Sequence, residues 1–168
     1  NNGGIFFIHS RERYVLKKIK DELRDYSEKN KIDIFMFDMS DGSKILSEAI
    51  NTAREISFFS MKKIVVLELA EKLNDKDRDI LESYIDNCET LNHLFVLVTE
   101  IDKRTKFFKN LQKMDRIYKT VPAAGTRDIE KFVTDCFAPL VVDNDLLNFF
   151  VNSGGSDLFF INAEIQKI

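Results

Sequence analysis

The sequence predicts an α/β fold: a parallel sheet flanked by helices, followed by a small unit of three helices. Between residues 5 and 121, short apolar runs alternate with longer amphipathic stretches, the pattern of strands joined by crossover helices. From residue 123 onward the apolar spacing is helical throughout. The charge changes at the same place: of 25 basic and 28 acidic side chains, residues 123–168 hold 3 and 7. With 168 residues, 44% of them apolar, and only 2 Pro and 6 Gly, the chain has the material for a buried core and lies outside the range of disordered or Pro-rich sequences.

Each element has its own warrant. Ile5-Phe6-Phe7-Ile8 reads as a buried strand. From about Arg11 to Tyr26, Tyr14, Val15, Ile19 and Leu23 fall on one helical face. Ile32 to Asp38 form a second strand, and the turn Ser40-Asp41-Gly42-Ser43 leads to a helix with Ile45, Leu46, Ala49, Ile50 and Ala53 at helical spacing. Lys63 to Leu69 is the third strand. Asn74 or Asp75 can cap a helix carrying Ile80, Leu81, Tyr84 and Ile85, and a fourth strand runs from Leu94 to Val98. A helix from about Lys103 to Met114 turns Phe107, Phe108 and Leu111 inward, and Arg116 to Val121 is a short last strand ended by Pro122. Helices then follow over Thr126 to Phe137, Asp143 to Val151 and Asp157 to Ile168, separated by Pro139 and Gly154-Gly155. The expected units are residues 1–122 and 123–168.

Composition and motifs narrow the chemistry. A net charge of -3 provides no global field toward nucleic acid or membrane, and no apolar run approaches the roughly 18 to 20 residues of a spanning helix. Cys88 and Cys136 are too few for a disulfide framework, which points to a reducing compartment such as the cytoplasm. Both read as small packing residues. The first strand-to-helix turn, His9-Ser10-Arg11-Glu12, has no Gly and no Lys, so it offers no phosphate cradle. Glu68 and Glu71 read as a solvated pair. His9 and His93 with two distant Cys make no plausible zinc site, and no nucleophile elbow is present. No catalytic residue, cofactor or metal is expected.

Ile56-Ser57-Phe58-Phe59-Ser60-Met61-Lys62-Lys63 stands apart, because it puts two Phe and a Met into a link between a helix and a strand. Either the rings fold under the sheet as core, or they form an apolar tip that inserts into a partner's pocket inside a polar rim.

Residues 56–67, Glu71-Lys72-Leu73, Ile101 to Lys109, Gly154-Gly155-Ser156-Asp157-Leu158 and Asn162-Ala163-Glu164-Ile165 form a set of stretches in register. Together they resemble the delta-subunit family of the bacterial DNA polymerase III clamp loader. Each is weak singly. The resemblance implies an AAA+ module, that is, a P-loop-like α/β domain without a working nucleotide site and then a three-helix lid. It implies no catalysis and no cofactor, with binding and opening of the sliding clamp through Phe58, Phe59 and Met61. The implied partners are the clamp, the other loader subunits and, indirectly within the complex, DNA. The family's collar domain would begin where this chain stops, so the chain is expected to be a fragment. His9-Ser10-Arg11 departs from the family's Gly and acid, and Ser156 is an extra residue after Gly154-Gly155. Lys103, Arg104, Lys106, Lys109 and Lys113 read as a solvated helix face. The competing functions are a nucleotide-dependent AAA+ or P-loop ATPase with a degenerate site and a receiver-like interaction module.

Overall fold

The computed structural model describes residues 3–41, 44–55, 62–68, 70–87, 91–113, 118–122, 124–154 and 157–167. Among these residues the five parallel strands are β1 (Gly4–His9), β2 (Asp33–Asp38), β3 (Lys63–Glu68), β4 (His93–Val98) and β5 (Tyr118–Thr120). Their order across the sheet is β2-β3-β4-β1-β5. Among the described residues seven α-helices accompany them: α1 (Arg13–Asn30), α2 (Lys44–Arg54), α3 (Asp75–Asp86), α4 (Lys106–Gln112), α5 (Thr126–Phe137), α6 (Asn144–Gly154) and α7 (Leu158–Ile165).

Alternation along the strands divides the core in two. Ile5, Phe7, Val65, Leu67, Leu94, Val96 and Val98 face Leu46, Ala49, Ile50 and Ala53 of α2, with Leu81 and Tyr84 of α3 and Phe107 and Leu111 of α4. On the opposite face Ile64, Val66 and Leu97 meet Leu16 of α1, with Ile19 and Leu23 beside them. In β3 every residue from Lys63 to Leu67 is buried, as expected for a strand covered on both faces. Phe6 stacks on Phe95 at 4.8 Å between ring centroids.

A third cluster joins α5, α6 and α7 through Ile129, Val133, Phe150, Leu158, Ile161 and Ile165. At the close approach of α6 and α7, a Cβ on Gly154 would collide with the Ile161 side chain. Tyr14 of α1 packs edge-on against Phe132 at 5.2 Å and Phe159 at 5.5 Å. It therefore faces the three helices, whereas the sequence pattern groups it with the sheet-facing residues of α1.

Element ends depart from the sequence reading for local reasons. Helix α1 begins at Arg13, because Ser10 and Glu12 form the preceding turn. It runs on to Asn30, where Lys31 closes it in the left-handed conformation (φ 54°). Helix α4 begins at Lys106, three residues late, since Asp102 accepts from the Arg104 amide (2.9 Å) and the Thr105 hydroxyl caps the Phe108 amide (3.2 Å). Asn74 caps α3 by accepting from the Asp77 amide at 3.0 Å. Cys136 is exposed rather than packed, because Ile129 and Val133 provide the buried face of α5. Cys88 lies outside the described residues.

Candidate partner-binding site

Phe58, Phe59 and Met61 lie in residues 56–61, outside the described residues. What the structure defines is the frame from which that link departs. Helix α2 ends at Arg54, whose guanidinium sits 5.2 Å from the centre of the Tyr84 ring, and β3 starts at Lys63. Between these two ends lies the side chain of Asn92, which is 4% exposed. Its amide nitrogen donates to the carbonyls of Ala53 (2.9 Å) and Glu55 (2.8 Å), and its oxygen accepts from the Lys63 amide (2.8 Å). One carboxamide thus bonds two carbonyls at the end of α2 and the first amide of β3.

A second tie joins the same ends: the Lys63 ammonium meets Glu55 Oε2 at 2.7 Å and lies 5.5 Å from the centre of the Phe35 ring. Asn92 is itself pressed by the start of the chain, where a Cβ on Gly3 would overlap the Asn92 carbonyl. Sequence reasoning missed Asn92. An Asn before a strand reads as an ordinary turn residue, and nothing local announces contacts 29 to 39 residues away.

At the carboxyl edge of the sheet, the first strand-to-helix turn spends its polar groups on the protein. The Ser10 amide donates to Val98 O (3.1 Å), the Val121 amide to His9 O (2.8 Å), and the Glu12 amide to Ser10 Oγ (3.2 Å). A phosphate cradle needs such amides free and pointing outward. Glu68 and Glu71 are not the solvated pair the sequence suggests. Glu68 pairs with Lys20, and Glu71 accepts from the Thr99 hydroxyl (2.8 Å) and amide (3.2 Å), tying the ends of β3 and β4 together. Both line a cavity of about 420 Å³ with Arg13, Lys17, Thr99 and Phe159.

His9 is buried, and its pKa falls below the ordinary 6.5, first through desolvation and then through the charges of Lys103 and Arg11. His93 is lowered in the same way, by burial and then by Lys62. Lys103, Arg104, Lys106, Lys109 and Lys113 are all exposed, and Arg104 is bound to Asp102, whose carboxyl it holds at about 2. Among the described residues no group of His, Cys, Asp and Glu could hold a metal ion. None of their helices is long and apolar enough to cross a membrane.

Residues 6–121 match the family described as DNA polymerase III, delta subunit. The chain belongs to this family. Among solved structures, the Bacillus subtilis DNA clamp loader delta protein (YqeN) is similar over 97% of this chain and 52% of its own, at 19% identity and a TM-score of 0.64. A chain of the E. coli MS115-1 HORMA:CdnC:Trip13 complex is similar over 90% of this chain and 59% of its own, at 10% identity and a TM-score of 0.55. These likenesses show the fold, and the delta-family chain spans between half and three-fifths of their lengths. Comparison with curated proteins yields no match.

Proposed function

We propose that this chain is the clamp-binding part of a delta subunit, which grips and opens the sliding clamp through Phe58, Phe59 and Met61 without turning over nucleotide. The observation that carries the reading is the family match over residues 6–121, a span that includes the link bearing the two Phe. In this reading residues 1–122 form a degenerate P-loop-like AAA+ domain, and residues 123–168 form its helical lid. The strand order and the separate apolar cluster of α5–α7 support that division. The other loader subunits are further partners, DNA is reached indirectly within the assembled loader, and the setting is cytoplasmic.

The engaged amides of Ser10 and Glu12 favour a non-catalytic role over a degenerate ATPase. Micromolar binding of magnesium-ATP in calorimetry would reverse that preference.

The deciding experiment titrates the sliding clamp against the chain and against Phe58→Ala combined with Phe59→Ala, with thermal melts of both. Truncating one anchor ring in a desolvated pocket costs about 2–4 kcal/mol, roughly 30-fold to 1,000-fold in affinity. The double variant is expected to lose most clamp binding at an unchanged melting temperature. Unchanged clamp affinity refutes the site, and a large drop in melting temperature assigns the rings to the core.

A further inference from the structure

We propose that the cavity between α1, the carboxyl ends of β3 and β4 and the first turn of α7 binds a small monoanion with an apolar body, of the aromatic carboxylate class. The inference is independent of the clamp-binding reading.

The fold sets the place. From β1 the chain crosses to the edge strand β2 on one side, whereas from β4 it crosses to β5 on the other. The connections diverge between the carboxyl ends of β1 and β4, where open parallel sheets leave a crevice for ligands. The cavity opens beside this point, lined by Thr99 just after β4 and by Glu68 at the end of β3. Its volume of about 420 Å³ falls within the roughly 300–1,000 Å³ of small-molecule sites.

Each wall contributes one apolar side chain: Leu97 from β4, Leu16 from α1 and Phe159 from α7. Leu16 and Leu97 are buried. Phe159 is held by two contacts, its amide donating to Asp157 Oδ1 (2.9 Å) and its ring meeting Tyr14 edge-on. The aromatic wall therefore stands in position without a ligand, which lowers the ordering cost of binding.

Charge selects the ligand. Four basic and three acidic side chains line the cavity, an excess of one positive charge. Glu68 pairs with Lys20, and Asp21 pairs with Arg24 (2.9 Å) and Lys17 (3.7 Å). Glu71 is engaged by Thr99. Arg13 has no carboxylate partner among the described residues. Its guanidinium can hold a carboxylate through two parallel N–H bonds, with the ligand's body among Leu16, Leu97 and Phe159. A polyphosphate would bring several charges toward Glu68 and Glu71 for one unpaired cation, and a neutral molecule would leave that cation without a counter-charge. A monoanion matches on both counts.

The test titrates 2-naphthoate and its neutral counterpart 2-naphthamide into the unaltered chain, Arg13→Gln, Phe159→Ala and Phe160→Ala by calorimetry, with a thermal melt of each. Arg13 is exposed, so Arg13→Gln is expected to melt with the unaltered chain. The naphthoate should bind one to one with a Kd on the order of 0.1 mM, about fivefold or more below that of the amide. Arg13→Gln should weaken the naphthoate about tenfold and leave the amide within about twofold, since it removes only the partner of the charge. Phe159→Ala should weaken both probes. Phe160, 44% exposed but not part of the cavity wall, should be replaceable by Ala without effect. Because Phe159 belongs to α7, bound naphthoate should also slow hydrogen exchange at the Ile161 amide of that helix.

No saturable binding of 2-naphthoate up to about 5 mM would overturn the proposal. Equal affinities for the two probes, or an Arg13→Gln variant that binds the naphthoate as well as the unaltered chain does, would remove the charge argument and overturn it too. A loss in Phe160→Ala as large as in Phe159→Ala would place the probe on the exposed rings of the helices instead of in the cavity. Magnesium-ATP binding tighter than the naphthoate, and lost in Arg13→Gln, would make the site one for a polyphosphate and refute the monoanion.

Discussion

The sheet and the three helices after it bury their apolar residues to very different degrees. In the sheet region, α2 offers Leu46, Ala49, Ile50 and Ala53, none more than 3% exposed, to a strand that is itself buried on both faces. In the helical region, six residues form the buried centre among those described. Phe149, Phe159 and Phe160 remain 54%, 40% and 44% exposed, and Val141 is 98% exposed. The chain closes a core on each face of its sheet, while its last three helices, of 12, 11 and 8 residues, are too short to be stable alone. They depend on docking. The ring contacts of Tyr14 with Phe132 and Phe159 are where α1 supplies it.

That contrast breaks most visibly under a change in the sheet core. Leu46→Ala removes a fully buried side chain between α2 and the sheet and is expected to destabilise the chain by about 2–5 kcal/mol. Urea unfolding followed by circular dichroism measures it. A loss below about 0.5 kcal/mol would mean that this core is no tighter than the surface.

Tyr14→Ala should act on the other region. Each edge-on aromatic pair contributes about 0.5–1.5 kcal/mol beyond its buried area, so the docking of α5 and α7 should weaken while the sheet stays closed. Hydrogen exchange is expected to quicken at Ile129 and Ile161 and to hold steady at Val65 and Val66. Equal quickening at all four would show the two regions to be one cooperative unit.

Mild acid sharpens the comparison with the smallest effect, because both histidines belong to the sheet, at the end of β1 and the start of β4. Burial holds their folded pKa values below 6.5, so the unfolded chain takes up protons that the folded chain refuses. Stability should be full above about pH 7.5 and fall as the pH drops through 6.5 toward the lowered folded values. The urea midpoint is expected to be lower at about pH 5.5 than at pH 7.5, and His93→Phe should reduce the difference. A midpoint that rises on acidification would contradict the burial of these rings.

The link carrying Phe58 and Phe59 was conspicuous from composition alone, since two Phe and a Met between a helix and a strand call for an explanation. Whether those rings serve a partner or the core was not legible there. Adjacent residues in a link carry no period that would assign them to a face. The pairing of Glu71 with Thr99 was equally hidden, because a carboxylate after a strand looks the same in sequence whether water or a neighbouring strand's hydroxyl satisfies it.

By itself the sequence determined the order of strands and helices and, through diffuse stretches in register, the family. These are local properties: side-chain period, turn chemistry and residue type within a few positions. Only the tertiary structure decided the strand order β2-β3-β4-β1-β5, the turning of Tyr14 from the sheet toward the helices, and the bonding of Asn92 to Ala53, Glu55 and Lys63. Each joins groups that are distant in sequence. Periodicity names the face a residue presents, but the partner on that face is chosen by which surfaces the whole chain can bury together.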